Sequence, residues 1–186
     1  MDGLRVLVAY ASVCGSTAEI ARAIALTLRR CGMDVEAMPA GEVADVGAYR
    51  GVVLGSAVYG GKWRREATEL LLRFAPQLAY RDLWLFQSGP LDRSAQRIVQ
   101  ALPYDVAVAA SGLSLKTHAT FGGKLDSGTT GPIARMLARA GLAHDYRDFG
   151  EIRMWAEEVA RSAAADSARR SRLRLSNRRV RAASLC

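Results

Sequence analysis

Apolar residues in this chain come as short unbroken runs that alternate with stretches of helical period. Leu4–Ala11 is the first run, rich in residues that favour strands, and it stops at the turn-like Ser12–Thr17. From Thr17 the period becomes helical, with Ile20, Ala21, Ile24, Ala25 and Leu28 on one face and a stop at Cys31-Gly32. Asp34–Met38 predicts a second strand and Gly51–Ser56 a third. The latter is apolar throughout, as a strand covered on both faces must be. A helix follows over Arg65–Ala75, ended by Pro76, and Leu83–Phe86 predicts a fourth strand. Beyond it the spacing predicts a short helix near Ser94–Leu102, a strand or turn near Val106–Ala110, a fifth strand over Thr117–Phe121 and a helix over Pro132–Ala140. Asp148 and Glu151 have the spacing of a capping box, and the helix they open carries Ile152, Trp155, Ala156, Val159 and Ala160 at core spacing. Fraying is expected past Ser162.

Strands alternating with helices imply an α/β fold, one parallel sheet with helices on both faces. The 186 residues suit one domain. No run is long and apolar enough to span a membrane, and the start of the chain lacks the pattern of a signal peptide. Three cysteines, none in a CxxC pair, argue for reduced thiols and against a zinc site, so a cytoplasmic setting is expected. Charge changes the picture at one place. The net charge is +8, but eight arginines and one acid lie from Arg161 onward, so residues 1–160 are nearly neutral. The chain therefore divides into a domain over 1–162 and a basic tail over 163–186, expected to be poorly ordered. No nucleic-acid partner is expected. The tail offers an anionic membrane surface roughly 1 kcal/mol per basic residue near it; a purely solvated tail is the other reading.

In open α/β sheets a ligand sits beyond the carboxyl ends of the strands. The loop after the first strand is Ser12-Val13-Cys14-Gly15-Ser16-Thr17, and it opens directly into a helix. A helix N-terminus offers free N–H groups and partial positive charge to a phosphate, and glycine permits close backbone approach. Ser12, Ser16 and Thr17 add hydroxyl donors. The same residues would also serve as an ordinary helix cap. GxGxxG and GxxxxGK[ST] are both absent, which removes the Rossmann and P-loop readings. The acidic residues of a phospho-receiver are missing too. The loop after the third strand, Ser56-Ala57-Val58-Tyr59-Gly60-Gly61-Lys62, and that after the fourth, Ser88-Gly89-Pro90-Leu91, belong on the same edge. They suit a flat heterocycle, with Tyr59 or Trp63 available for stacking and Lys62 for charge. Aromatic residues that merely cover the core are the competing reading. Of two histidines, His118 on the last strand is the better site candidate, and His144 the weaker.

The segment Ala11-Ser12-Val13-Cys14-Gly15-Ser16-Thr17-Ala18-Glu19-Ile20-Ala21 resembles the phosphate loop of flavodoxins, T/S-x-T-G-x-T before the first helix. Gly55–Gly60 and Ser88–Leu91 resemble the two flavin-ring loops of that family. Phe121–Asp126 and Arg147–Val159 resemble a subgroup of flavodoxin-domain proteins related to menaquinone-dependent protoporphyrinogen oxidase. The resemblance spans about residues 4–162. It implies a three-layer flavodoxin-like fold with a five-stranded parallel sheet in the order 2-1-3-4-5. It also implies FMN at the sheet edge, with Ser12, Gly15, Ser16 and Thr17 at the phosphate and residues of the 56–62 and 88–91 loops around the ring. Cys14 departs from the pattern, standing where flavodoxins have a hydroxyl residue. It is either a packed, inert thiol or one activated by the helix N-terminus.

The flavin would carry the redox chemistry, so no acid–base triad is expected. The resemblance implies an FMN-dependent oxidoreductase that passes electrons from a small molecule to a quinone. The neutral body fits an acidic electron shuttle less well. A one-electron carrier, a deazaflavin-binding protein and a flavin-free module of the same fold are the alternatives.

Overall fold

The computed structural model describes residues 4–89, 101–124 and 145–183. The sheet is built from β1 (Arg5–Ala11), β2 (Asp34–Pro39), β3 (Gly51–Tyr59), β4 (Lys62–Trp63), β5 (Asp82–Ser88) and β6 (Leu115–Phe121). The helices are α1 (Ser16–Arg30), α2 (Arg65–Arg73), α3 (Ala75–Leu78), α4 (Tyr104–Ala110) and α5 (Phe149–Ala183), with one 3-10 turn at Ala40–Glu42. Five strands pair in parallel in the order β2-β1-β3-β5-β6, and β4 folds back antiparallel on β3. This is the expected order of five parallel strands with one short addition.

Strand side chains alternate between two cores. Val6, Val8, Val53, Trp84 and Phe86 face α1 and α5. Leu7, Ala9, Val52, Leu54, Leu83 and Leu85 face α2, α3 and α4. The first core is braced by the rings of Phe86, Phe121 and Trp155, with centroids 5.7–6.2 Å apart. Gly55 makes room for it: a Cβ there would lie 1.9 Å from the Phe86 ring.

Four local expectations are corrected. β3 runs on to Tyr59, and Gly60 and Gly61, at φ 56° and 74°, form a two-residue turn into β4. Positive φ at both central residues marks the hairpin turn that matches strand twist. Pro76 does not end a helix that reaches Ala75; α2 stops at Arg73, and Pro76 lies in the first turn of α3, where a missing N–H costs nothing. Val106–Ala110 is helical, since α4 buries Val106 and Ala110 against the second core. Finally, α5 does not fray at Ser162. Ala163 is buried, Lys116 binds Asp166 at 2.8 Å, and Arg170 reaches the buried carboxylate of Asp82 at 2.5 Å. These contacts carry the helix across the sheet and beyond it. The expected helices near Ser94–Leu102 and over Pro132–Ala140 fall wholly or mainly outside the described residues, as do His144 and most of the loop beyond Gly123. Among the described residues no helix is long and apolar enough to cross a membrane.

Candidate functional site

The strand order reverses between β1 and β3: the chain leaves β1 through α1 on one face, and leaves the β3–β4 hairpin through α2 on the other. That divergence opens a crevice at the carboxyl edge of the sheet. Register places Ala11 beside Ser56, Ala57 beside Ser88, and Ser88 beside Phe121, so the loops after β1, β3, β5 and β6 share one rim.

The first loop is held open by its own bonds. Gly15 caps α1 at φ 84°, a backbone state that costs other residues about 1–2 kcal/mol. Its N–H donates to Ser12 Oγ at 3.1 Å. The first helical bond is Glu19 N–H to Gly15 C=O, so the N–H groups of Ser16, Thr17 and Ala18 stand free of the helix ladder. The Lys124 N–H donates to Ser16 Oγ at 3.1 Å. Ser12 and Ser16 both accept, and each keeps its hydroxyl proton for an anion in front of the loop. Thr17 is 1 % exposed, and its hydroxyl pairs with Ser88 Oγ at 2.8 Å. These two residues form the floor of the site and tie the first turn of α1 to the end of β5.

The third loop divides along its length. Ser56 is fully buried, accepting from the Arg64 N–H and donating to Ala57 C=O, and Ala57 is nearly buried beside it. Val58 is half-buried, while Tyr59, Gly60, Gly61 and Lys62 are exposed at the rim. Trp63 is not available for stacking: it is buried in the second core and donates to Gln87 Oε1 at 3.0 Å. Tyr59 is 52 % exposed and Val13, across the rim, 54 %. Tyr59 Oη lies 3.7 Å from Cys14 Sγ, joining the first and third loops. Burial of its ring and that bond push the Tyr59 phenol up to about 12, so it stays a neutral donor. Cys14 is exposed, which corrects the packed-thiol reading.

Gly89 closes the rim. A Cβ there would lie 3.0 Å from Val58 O, and a Cβ on Gly123 would lie 3.6 Å from Gly89 Cα. Three backbones thus meet without side chains between them. Pro90 and Leu91 lie outside the described residues. His118 sits exposed on β6, three residues short of the strand end, and takes no place at the rim. Residue-by-residue reading missed the Glu19–Arg147–Asp145 ion cluster, which packs against the first turn of α1. Asp145 and Arg147 are near neighbours, but no local pattern announces their partner Glu19, which lies 128 residues from Arg147.

The donor set fits a phosphate monoester with a flat ring system: free N–H groups and two hydroxyls at one end, glycine backbones and a neutral phenol at the other. Residues 7–140 match the family model described as Flavodoxin domain. No curated protein matches the chain in sequence. The fold is similar to that of a flavodoxin from Streptococcus pneumoniae TIGR4, at 20 % identity and TM-score 0.58, covering 85 % of this chain and 99 % of that one. It is similar to Flavodoxin 2 from Bacillus cereus, at 20 % identity and TM-score 0.53, covering 79 % and 98 %. It also resembles rubredoxin oxygen:oxidoreductase from Desulfovibrio gigas, at 16 % identity and TM-score 0.59, covering 88 % of this chain and 37 % of the larger one.

Proposed function

The chain belongs to the flavodoxin-domain family, whose cofactor is FMN, and from that premise we propose that it is an FMN-dependent oxidoreductase. The observation that carries the reading is the first loop, where Gly15 at φ 84° caps α1 and three N–H groups stand outside the helix ladder beside the Ser12 and Ser16 hydroxyls. These groups would hold the phosphate, with dipoles in place of a basic side chain. Val58, Tyr59 and Gly89 would border the ring. Bound FMN supplies the electron transfer. The chain's own part is to orient the ring and to keep water from its inner face. It also keeps Tyr59 a neutral phenol across physiological pH, so that no phenolate charge stands beside the ring.

The finer reading, an activity like that of the menaquinone-linked protoporphyrinogen oxidase group with a quinone as acceptor, is supported by the resemblance of Phe121–Asp126 and Arg147–Val159. The nearly neutral body also favours it over an acidic shuttle. A one-electron carrier is the second reading, supported by the likeness to flavodoxins over almost their whole length. Titrating the apoprotein with FMN and following flavin fluorescence tests the cofactor: strong quenching is expected, and a protein that leaves the fluorescence unchanged would overturn the reading. A reductive titration then separates the two roles, since a two-electron enzyme is reduced in one spectral stage and a one-electron carrier in two.

A further inference from the structure

The chain on either side of residues 125–144 returns to the first turn of α1 and is tied there. Lys124 and Asp145 form an antiparallel bridge, and the Tyr146 N–H donates to Gly123 C=O at 3.0 Å. Arg147 fixes this pair to the helix. Its Nη1 binds Glu19 Oε2 at 2.6 Å, while Nη2 and Nε grip both oxygens of Asp145 at 2.6 and 2.8 Å. The guanidinium also lies 5.1 Å from the Phe149 ring centroid, and the side chain is only 4 % exposed. From Asp145 the path runs across the bridge to Lys124, whose N–H donates to Ser16 Oγ. Ser16 and Glu19 are three residues apart on α1, so they share a face and the path closes into a ring.

We propose that Arg147 is a positioning residue for the phosphate end of the cofactor site. By clamping Asp145 to Glu19 it holds the Lys124 N–H on Ser16 Oγ. With one lone pair of its oxygen engaged by that N–H, the Ser16 hydroxyl keeps its proton available for the anion. Arginine is required because one planar fork must hold two carboxylates at once. The inference rests on the FMN reading and adds to it a specificity device: the clamp discriminates FMN from the same ring without its phosphate.

The test compares dissociation constants for FMN and for riboflavin. Arg147→Gln is expected to weaken FMN binding about tenfold, leaving riboflavin binding within about twofold. Arg147→Lys, which keeps the charge but not the fork, should fall between. The decisive quantity is the ratio of the two constants, which a general loss of structure would not change. An unchanged ratio overturns the inference, whether both ligands weaken or neither does. Should Arg147→Gln fail to fold, Glu19→Gln opens the same ring at an exposed residue and should lower the ratio in the same direction. Hydrogen exchange of the Lys124 amide in the apoprotein reads the clamp without ligand: exchange should quicken at least tenfold in Arg147→Gln, and equal rates overturn the clamp. Wild-type protein that binds neither ligand would overturn the cofactor reading, whereas FMN binding with an unaltered ratio would overturn only the role of Arg147.

Discussion

Gly15 and Gly89 shape the carboxyl rim of the sheet for different physical reasons, and substitution separates them. A Cβ on Gly15 meets nothing within 4 Å, so Gly15→Ala suffers only from its backbone angle. The expected cost is about 1–2 kcal/mol in denaturant unfolding, with weaker FMN binding because the first-loop N–H groups turn away. At Gly89 the backbone is unstrained and the obstacle is the Val58 backbone at 3.0 Å. Gly89→Ala should cost about 1–3 kcal/mol by pushing β3 and β5 apart at the rim, and riboflavin affinity should fall along with that for FMN. Equal riboflavin binding by the Gly89 variant and the wild type would show that this approach does not shape the ring site.

Among the elements, α5 has two parts. As far as Arg170 it is bound to the body. Asp82, 2 % exposed at the start of β5, is held by Lys116 at 3.2 Å and Arg170 at 2.5 Å, and Lys116 also binds Asp166. From Ser171 to Ala183 the helix continues for about 20 Å at 1.5 Å per residue. Ending the chain after Ala165 should lower stability by about 1–3 kcal/mol, because Asp82 keeps only one of its two cations. Ending it after Arg172 should leave stability within about 0.5 kcal/mol of the full chain. Equal midpoints for the two truncations in urea would mean that the Asp82 contacts contribute nothing.

At the scale of the molecule, ion pairs at two carboxylates among the described residues link stability to pH. Lys116 beside Asp166, and Arg147 beside Asp145, hold these groups below their ordinary value of 3.8. A lowered folded-state value adds stability that is present above the ordinary value and disappears as pH falls through the lowered one. Asp166→Asn should therefore be less stable than wild type at about pH 6, and the difference should shrink as the pH falls below the ordinary carboxyl value of 3.8. Both partners of the Lys116–Asp166 pair are about a quarter exposed, so high salt should shrink the gap. Much of this architecture is legible in the chain. Short strand-favouring runs mark all five parallel strands: β1, β3 and β5 are apolar and buried on both faces, whereas β2 and β6, at the two edges of the sheet, are more polar and only partly buried. The first loop is legible because a glycine cap and hydroxyls must follow one another to work. What escaped depends on distant partners. Ala163, Asp166 and Arg170 extend the buried face of α5 at helical spacing, yet their anchor is 88 residues from Arg170. Arginine-rich composition therefore reads as a tail. Trp63 reads as a stacking ring until the Gly60-Gly61 turn fixes the alternation that sends Lys62 outward and Trp63 inward.

The direction of α5 has a further consequence. It starts at the rim, runs antiparallel to the strands and leaves from the far edge, where β1 also begins. A polypeptide joined at either end would thus emerge on the side opposite the cofactor. The fold can be plugged into a longer protein, or tethered to a solid support by its C-terminus, with the flavin edge facing outward.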